Sequence, residues 1–126
     1  MGFQCISLSK TYASRNGEVV ALDSVDFTVR EQEFICLVGP SGCGKTTLLK
    51  IIAGLIEPSS GKMIYSNHPE NGQLRSAMVF QEQGLFPWMN VQDNVAFGLE
   101  TQGIAQKKRR EMADDFLSKI GLYGFL

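Results

Sequence analysis

Gly39-Pro40-Ser41-Gly42-Cys43-Gly44-Lys45-Thr46-Thr47 decides the reading of this chain. It satisfies G-x-x-x-x-G-K-[ST], whose residue types follow from the task of holding several phosphate charges out of water. Backbone N–H groups of a tight loop converge on such charges only where φ and ψ are unusual, and Gly39, Gly42 and Gly44 supply that freedom. A helix starting near Lys45 adds unpaired N–H groups and the positive end of its dipole. In this pattern Lys45 is expected to reach the β- and γ-phosphates and the Thr46 hydroxyl to ligate Mg²⁺, with Thr47 toward the α-phosphate side. Pro40, Ser41 and Cys43 occupy variable positions of the same nucleotide-binding loop. The bland alternative is a glycine-rich turn with an exposed lysine, and the flanks argue against it.

Upstream, the apolar run Phe34-Ile35-Cys36-Leu37-Val38 predicts a buried strand leading into the loop. Downstream, Leu48, Leu49, Ile52 and Leu55 predict a helix over 45–54 that ends near Gly54. Working outward, residues 3–8 read as a first strand and Asn16-Gly17 as a turn. Residues 19–22, and then Val25, Phe27 and Val29, read as further strand pieces, so a small antiparallel sheet precedes the loop. Beyond the helix come a turn at Pro58-Ser59-Ser60-Gly61, a short strand over 62–65 and a polar loop over 66–72. That loop holds His68, the one histidine, to which no role is assigned.

Ala77-Met78-Val79-Phe80 reads as a second buried strand ending at Gln81. Glu82-Gln83-Gly84-Leu85-Phe86-Pro87-Trp88-Met89 is unusually rich in large apolar groups for a loop. Asn90 and Asp93 resemble a capping box opening a helix through Phe97. A further helix over about 106–120 presents Met112, Ala113, Phe116, Leu117 and Ile120 on one face, with Gly121 as its cap. Lys107-Lys108-Arg109-Arg110 in its first turn reads as a solvated face.

Composition sets bounds. The chain's 126 residues suffice for one small domain with a core, and 44% hydrophobic with 20% charged residues is the balance of a soluble globular protein. A formal net charge of −1 argues against a strongly nucleic-acid-binding surface. No apolar stretch approaches the ~20 residues that span a bilayer, and the N-terminus lacks the pattern of a signal peptide. Cys5, Cys36 and Cys43 have no metal-ligand spacing and cannot all pair, which fits a reducing cytoplasm. Cys43, close to Lys45 and a helix start, could carry a reactive thiol. A small residue tolerated at a variable loop position is the favoured reading.

With these residues in view, the whole chain resembles the ATP-binding subunit of an ABC transporter. The resemblance implies an α/β fold: a P-loop NTPase (RecA-like) core with an antiparallel β subdomain over 1–83, and the start of the ABC helical subdomain over 84–126. It implies ATP and Mg²⁺ as ligands. Tyr12 matches the family's adenine-stacking aromatic, and Val20 the apolar contact beneath the base. Phe80-Gln81 matches the Q-loop, whose glutamine, here Gln81, senses Mg²⁺ and the γ-phosphate. The segment 85–99 is close to that of the family's importers, and Pro87-Trp88 resembles the branch serving nitrate, sulfonate, taurine and related small solutes. In the family, the region of Leu85, Phe86, Pro87, Trp88 and Met89 lines the groove that receives the transmembrane permease subunits. A second ATP-binding subunit would complete a dimer, placed peripherally on the cytoplasmic face of the plasma (inner) membrane.

The resemblance stops short of the family's Leu-Ser-Gly-Gly-Gln signature, its Asp-Glu pair after an apolar strand and its switch histidine. The expectation is therefore an N-terminal portion, an incomplete fold whose Ile35 and Leu37 edge faces solvent, binding ATP weakly and not turning it over. Whether such a chain is part of an importer's ATPase or a truncated, non-catalytic nucleotide- or partner-binding module stays open. A different phosphate-loop NTPase, such as a small kinase or GTPase, is disfavoured by Tyr12, Gln81 and the 85–99 segment.

Overall fold

The computed structural model describes residues 2–66, 76–82, 84–122 and 124. His68 and residues 67–72 of the expected polar loop lie outside them. The backbone forms two compact units, Met1–Met78 and Val79–Leu126.

In the first unit, apolar positions interleaved with polar ones build a long hairpin of β1 (Phe3–Ser14) and β2 (Gly17–Val29). β3 (Ser60–Tyr65) pairs antiparallel with the other edge of β1, so the sheet order is β2-β1-β3. The expected antiparallel sheet is present with longer strands than the sequence suggests, and the two pieces read within 19–29 are one strand. The register shifts at Cys5/Leu8, Leu8/Lys10 and Lys10/Thr11 explain this, because they break the two-residue alternation on which the reading depends. Ser7 and Ser24 adopt positive φ there, 48° and 45°. Their N–H groups donate to the Asp26 carboxylate at 2.8 Å and the Ser9 hydroxyl at 2.9 Å, so side chains satisfy donors the ladder leaves unpaired.

On this sheet lies α1 (Lys45–Ile52), which buries Leu48 and Ile51 against Cys5, Leu8 and Leu22. Burial of Leu48 and of Ile51 each contributes roughly 1.5–3 kcal/mol to holding the helix down. The helix stops as expected at Gly54, whose φ is 72°. Gly54 N–H donates to the Ile51 carbonyl and Leu55 N–H to that of Lys50, the two bonds of a Schellman cap.

Two expected strands are absent. Residues 34–38 form no strand; Phe34 is 90% and Val38 93% exposed, and Ile35 and Leu37 face solvent too. Residues 77–80 likewise form none, and Val79 is 96% exposed. The physical reason is common to both. A strand's hydrogen bonds all run to a neighbour, and no described segment pairs with either stretch. A helix closes its own bonds, which is why α1 forms where the preceding strand does not.

The second unit contains α2 (Val91–Thr101) and α3 (Gln106–Lys119), two helices running antiparallel around Gly103. Ala96, Ala113 and Leu117 form its buried seam. Of the apolar face expected on α3, Met112, Phe116 and Ile120 are exposed. The basic run is more than a solvated face. Arg109 pairs with Glu100 at 3.2 Å and Arg110 with Asp93 at 3.5 Å, while Lys107 and Lys108 stay exposed. Gln92 also donates to Asp114, so polar pairs tie α2 to α3 along both ends of the seam.

Candidate functional site

Gly44 is the N-cap of α1, with φ 94° and no side chain to close the helix start. A Cβ there would lie 2.3 Å from the Ala21 carbonyl and 3.0 Å from Leu22 Cδ2, so only glycine lets the loop settle against β2. Because the first intrahelical bond is Leu48 N–H to the Gly44 carbonyl, the N–H groups of Lys45, Thr46 and Thr47 have no helical acceptor. They point out of the helix end together with its positive dipole.

The Lys45 side chain turns back over the loop. Its ammonium donates to the carbonyls of Gly39 at 2.6 Å and Pro40 at 2.7 Å, and lies 3.4 Å from Cys43 Sγ. A Cβ on Gly39 would sit 2.9 Å from that same sulfur. The loop therefore carries a cation, three free N–H groups and the exposed Thr46 hydroxyl around one tight curve, a donor set suited to an oxyanion and its counter-cation. Ser41 and Gly42 complete the curve and are exposed.

Tyr12 is exposed on the hairpin, with the Lys10 ammonium 5.3 Å from its ring centroid. The register sets Tyr12 opposite Val19, and Val20 opposite Thr11. Directly opposed residues share a face, so Val19 accompanies Tyr12 and Val20 lies on the other side of the ribbon. β2 connects the two features: it carries Val19 and Val20, and Ala21 and Leu22 form the floor under Gly44. Gln81, in the second unit, is exposed. Among the described residues no cluster of His, Cys, Asp or Glu is built to hold a metal ion.

In the second unit, loop 85–89 exposes Leu85 (71%), Pro87 and Trp88 (75%). Phe86 and Met89 are half-buried, with the Phe86 ring 4.6 Å from that of Phe97 and 5.4 Å from that of Trp88. Half of the expected capping box forms: Asn90 is the N-cap of α2 and its side chain accepts from Asp93 N–H at 2.7 Å, while the Asp93 carboxylate accepts from the Asn90 side-chain Nδ2 at 2.8 Å in place of the backbone N–H. Sequence reasoning missed Asn94, whose side chain contacts four backbone atoms of 86–90. No short-range signal marks it, because its partners lie in an irregular loop. A cavity of about 300 Å³ lined by residues including Phe3, Gln4, Arg30 and Ile64 contains no phosphate-loop residue.

The cysteines are all free; Cys5 is buried and Cys36 and Cys43 are exposed. Burial, reinforced by Asp26, pushes the Cys5 thiol up to about 11. No described helix is long and apolar enough to cross a membrane.

A family model described as ABC transporter matches residues 22–126. The nitrate import ATP-binding protein NrtD of Synechocystis sp. is 41% identical over 126 residues, 99% of this chain and 47% of that protein. The taurine import ATP-binding protein TauB of Escherichia coli is 42% identical over 120 residues, 94% of this chain and 47% of that one. This chain thus spans less than half the length of these relatives. Among solved structures, the dimeric ATP-binding cassette MJ0796 in a post-hydrolysis state bound to ADP and Pi gives a TM-score of 0.78 at 28% identity, covering 92% of this chain and 56% of that one. The glycine loop, its helix and the hairpin beneath it are therefore those of an ATP-binding cassette, and the chain belongs to the ABC transporter family.

Proposed function

We propose that this chain is the nucleotide-binding portion of an importer's energy-coupling subunit, serving a small anionic solute. The observation that carries the reading is the start of α1: an uncapped helix end, closed to any residue but glycine at position 44, with the Lys45 ammonium held over the loop. ATP would place its phosphates against the N–H groups of Lys45, Thr46 and Thr47. Lys45 would exchange the Gly39 and Pro40 carbonyls for β- and γ-phosphate oxygens. Mg²⁺, when bound, would neutralise phosphate charge, and the Thr46 hydroxyl would hold it at the loop. Tyr12 would stack on adenine, and Val19, which shares its face, is a nearer apolar companion than Val20. Val19 and Leu22 are about 10 Å apart along β2, the scale of a nucleoside bridging base site and phosphate loop.

Region 81–99 would meet the permease subunits, with Leu85, Pro87 and Trp88 as the exposed contact, on the cytoplasmic face of the membrane. A second ATP-binding subunit would complete the dimer; relatives named for nitrate and taurine import and a dimeric structural neighbour support this reading. The chain by itself would bind nucleotide without turnover, since none of its motifs supplies an acceptor for the attacking water's proton. Fluorescent-ATP titration of the wild-type chain and of Lys45→Ala tests the site. Saturable binding that drops by tenfold or more in the variant is expected. Equal binding by both sinks the proposal, as does steady MgATP hydrolysis abolished by that variant for the claim of no turnover.

A further inference from the structure

Among the described residues, the side chain outside the phosphate loop with the most hydrogen bonds is that of Asn94, in the first turn of α2. Its Oδ1 accepts from Phe86 N–H at 2.8 Å. Its Nδ2 donates to the carbonyls of Phe86 at 3.1 Å, Met89 at 3.1 Å and Asn90 at 3.0 Å. One carboxamide thus grips both ends of loop 86–90. Phe86, fixed at its N–H and its carbonyl, turns its ring onto Phe97, while Leu85 and Trp88 are left outward. No other residue type does this in place: the site needs an acceptor and two N–H donors on one short planar group.

We infer that Asn94 is the positioning residue of the partner-binding loop, holding 85–89 in the one form that presents Leu85, Pro87 and Trp88 to another chain. This rests on the proposed role of that loop in meeting permease subunits. Aspartate is the sharpest probe. It keeps the shape and the acceptor but turns an anionic oxygen toward three carbonyls.

Trp88 is the only tryptophan, so its fluorescence reports this loop alone. In the 126-residue chain, Asn94→Asp is expected to raise the amplitude of the fast, local component of the Trp88 anisotropy decay about twofold. Asn90→Ala weakens the helix cap without touching the Asn94 side chain's bonds and is expected to leave that component at its wild-type value. An unchanged decay in Asn94→Asp overturns the inference. So does an equal rise in Asn90→Ala, which would mean that general fraying of α2 releases the loop.

The second readout is co-sedimentation of the chain with inverted membrane vesicles from its own cells. Both Trp88→Ala and Asn94→Asp are expected to reduce it severalfold. Loss in Trp88→Ala with wild-type association in Asn94→Asp overturns the positioning role. Wild-type association in Trp88→Ala removes the partner reading instead, and the anisotropy decay then still decides whether Asn94 holds the loop.

Discussion

The loops leading into α1 and α2 treat the helix start in opposite ways. Before α1, Gly44 offers no side chain, the first N–H groups stay open, and a lysine ammonium is brought over them. Before α2, Asn90 accepts the Asp93 N–H, and Asn94 ties down the loop's own backbone. The first helix start is left uncapped and the second is capped from within. An open helix end costs stability, since capping by Ser, Thr, Asn or Asp is worth about 1 kcal/mol. The difference teaches where each loop can work: one through backbone donors available to an anion, the other through apolar side chains displayed on a backbone that Asn94 holds in place.

The largest break in that comparison should come from Gly44→Ala. The new Cβ would meet the Ala21 carbonyl at 2.3 Å on a left-handed backbone, so the loop must leave β2. We expect about 3 kcal/mol of lost stability in denaturant unfolding and no measurable nucleotide binding. Lys45→Ala should come next and separate the two properties. Nucleotide affinity in a fluorescence titration should fall tenfold or more, about 1.4 kcal/mol. Stability should hold within about 0.5 kcal/mol, because the side chain bonds only its own loop.

Asn90→Ala should do the reverse, with about 1 kcal/mol lost from the second unit on thermal unfolding and nucleotide affinity unchanged. The smallest effect near neutral pH is a titration that distinguishes the units. Burial raises the Cys5 thiol in the folded chain from 9.0 to about 11, so folding favours its protonated form. That stability is complete below pH 9.0 and drains away as the pH rises toward about 11. Burial raises the Tyr65 hydroxyl in the same direction. Alkaline unfolding curves should therefore soften in the first unit before the Trp88 signal of the second changes, and Cys5→Ala should shrink the slope.

What could be read from the sequence follows how far each feature's cause extends along the chain. The 39–47 curve, the stop at Gly54 and the Asn90–Asp93 cap depend on residues within one or two turns, and each has the local form its residues suggested. The sheet edges were less legible, because Ser7 and Ser24 interrupt the alternation and are rescued by distant side chains. Residues 34–38 and 77–80 have the composition of buried strands, yet composition supplies no neighbour to pair with. By residue type Asn94 is one more polar residue on a helix, since the four atoms it holds belong to backbone rather than to any motif.

The Lys45 bonds to the Gly39 and Pro40 carbonyls have a kinetic meaning under the proposed function. They act as internal tenants of the loop, keeping its curve at the dimensions a phosphate needs. An arriving anion would evict them in a swap of ligands rather than fold the loop from scratch. Association should then run at the diffusive rate of a rigid receptor, with little ordering entropy lost. Affinity would be the difference between two sets of bonds to one ammonium, so its strength would show chiefly in how slowly the anion leaves.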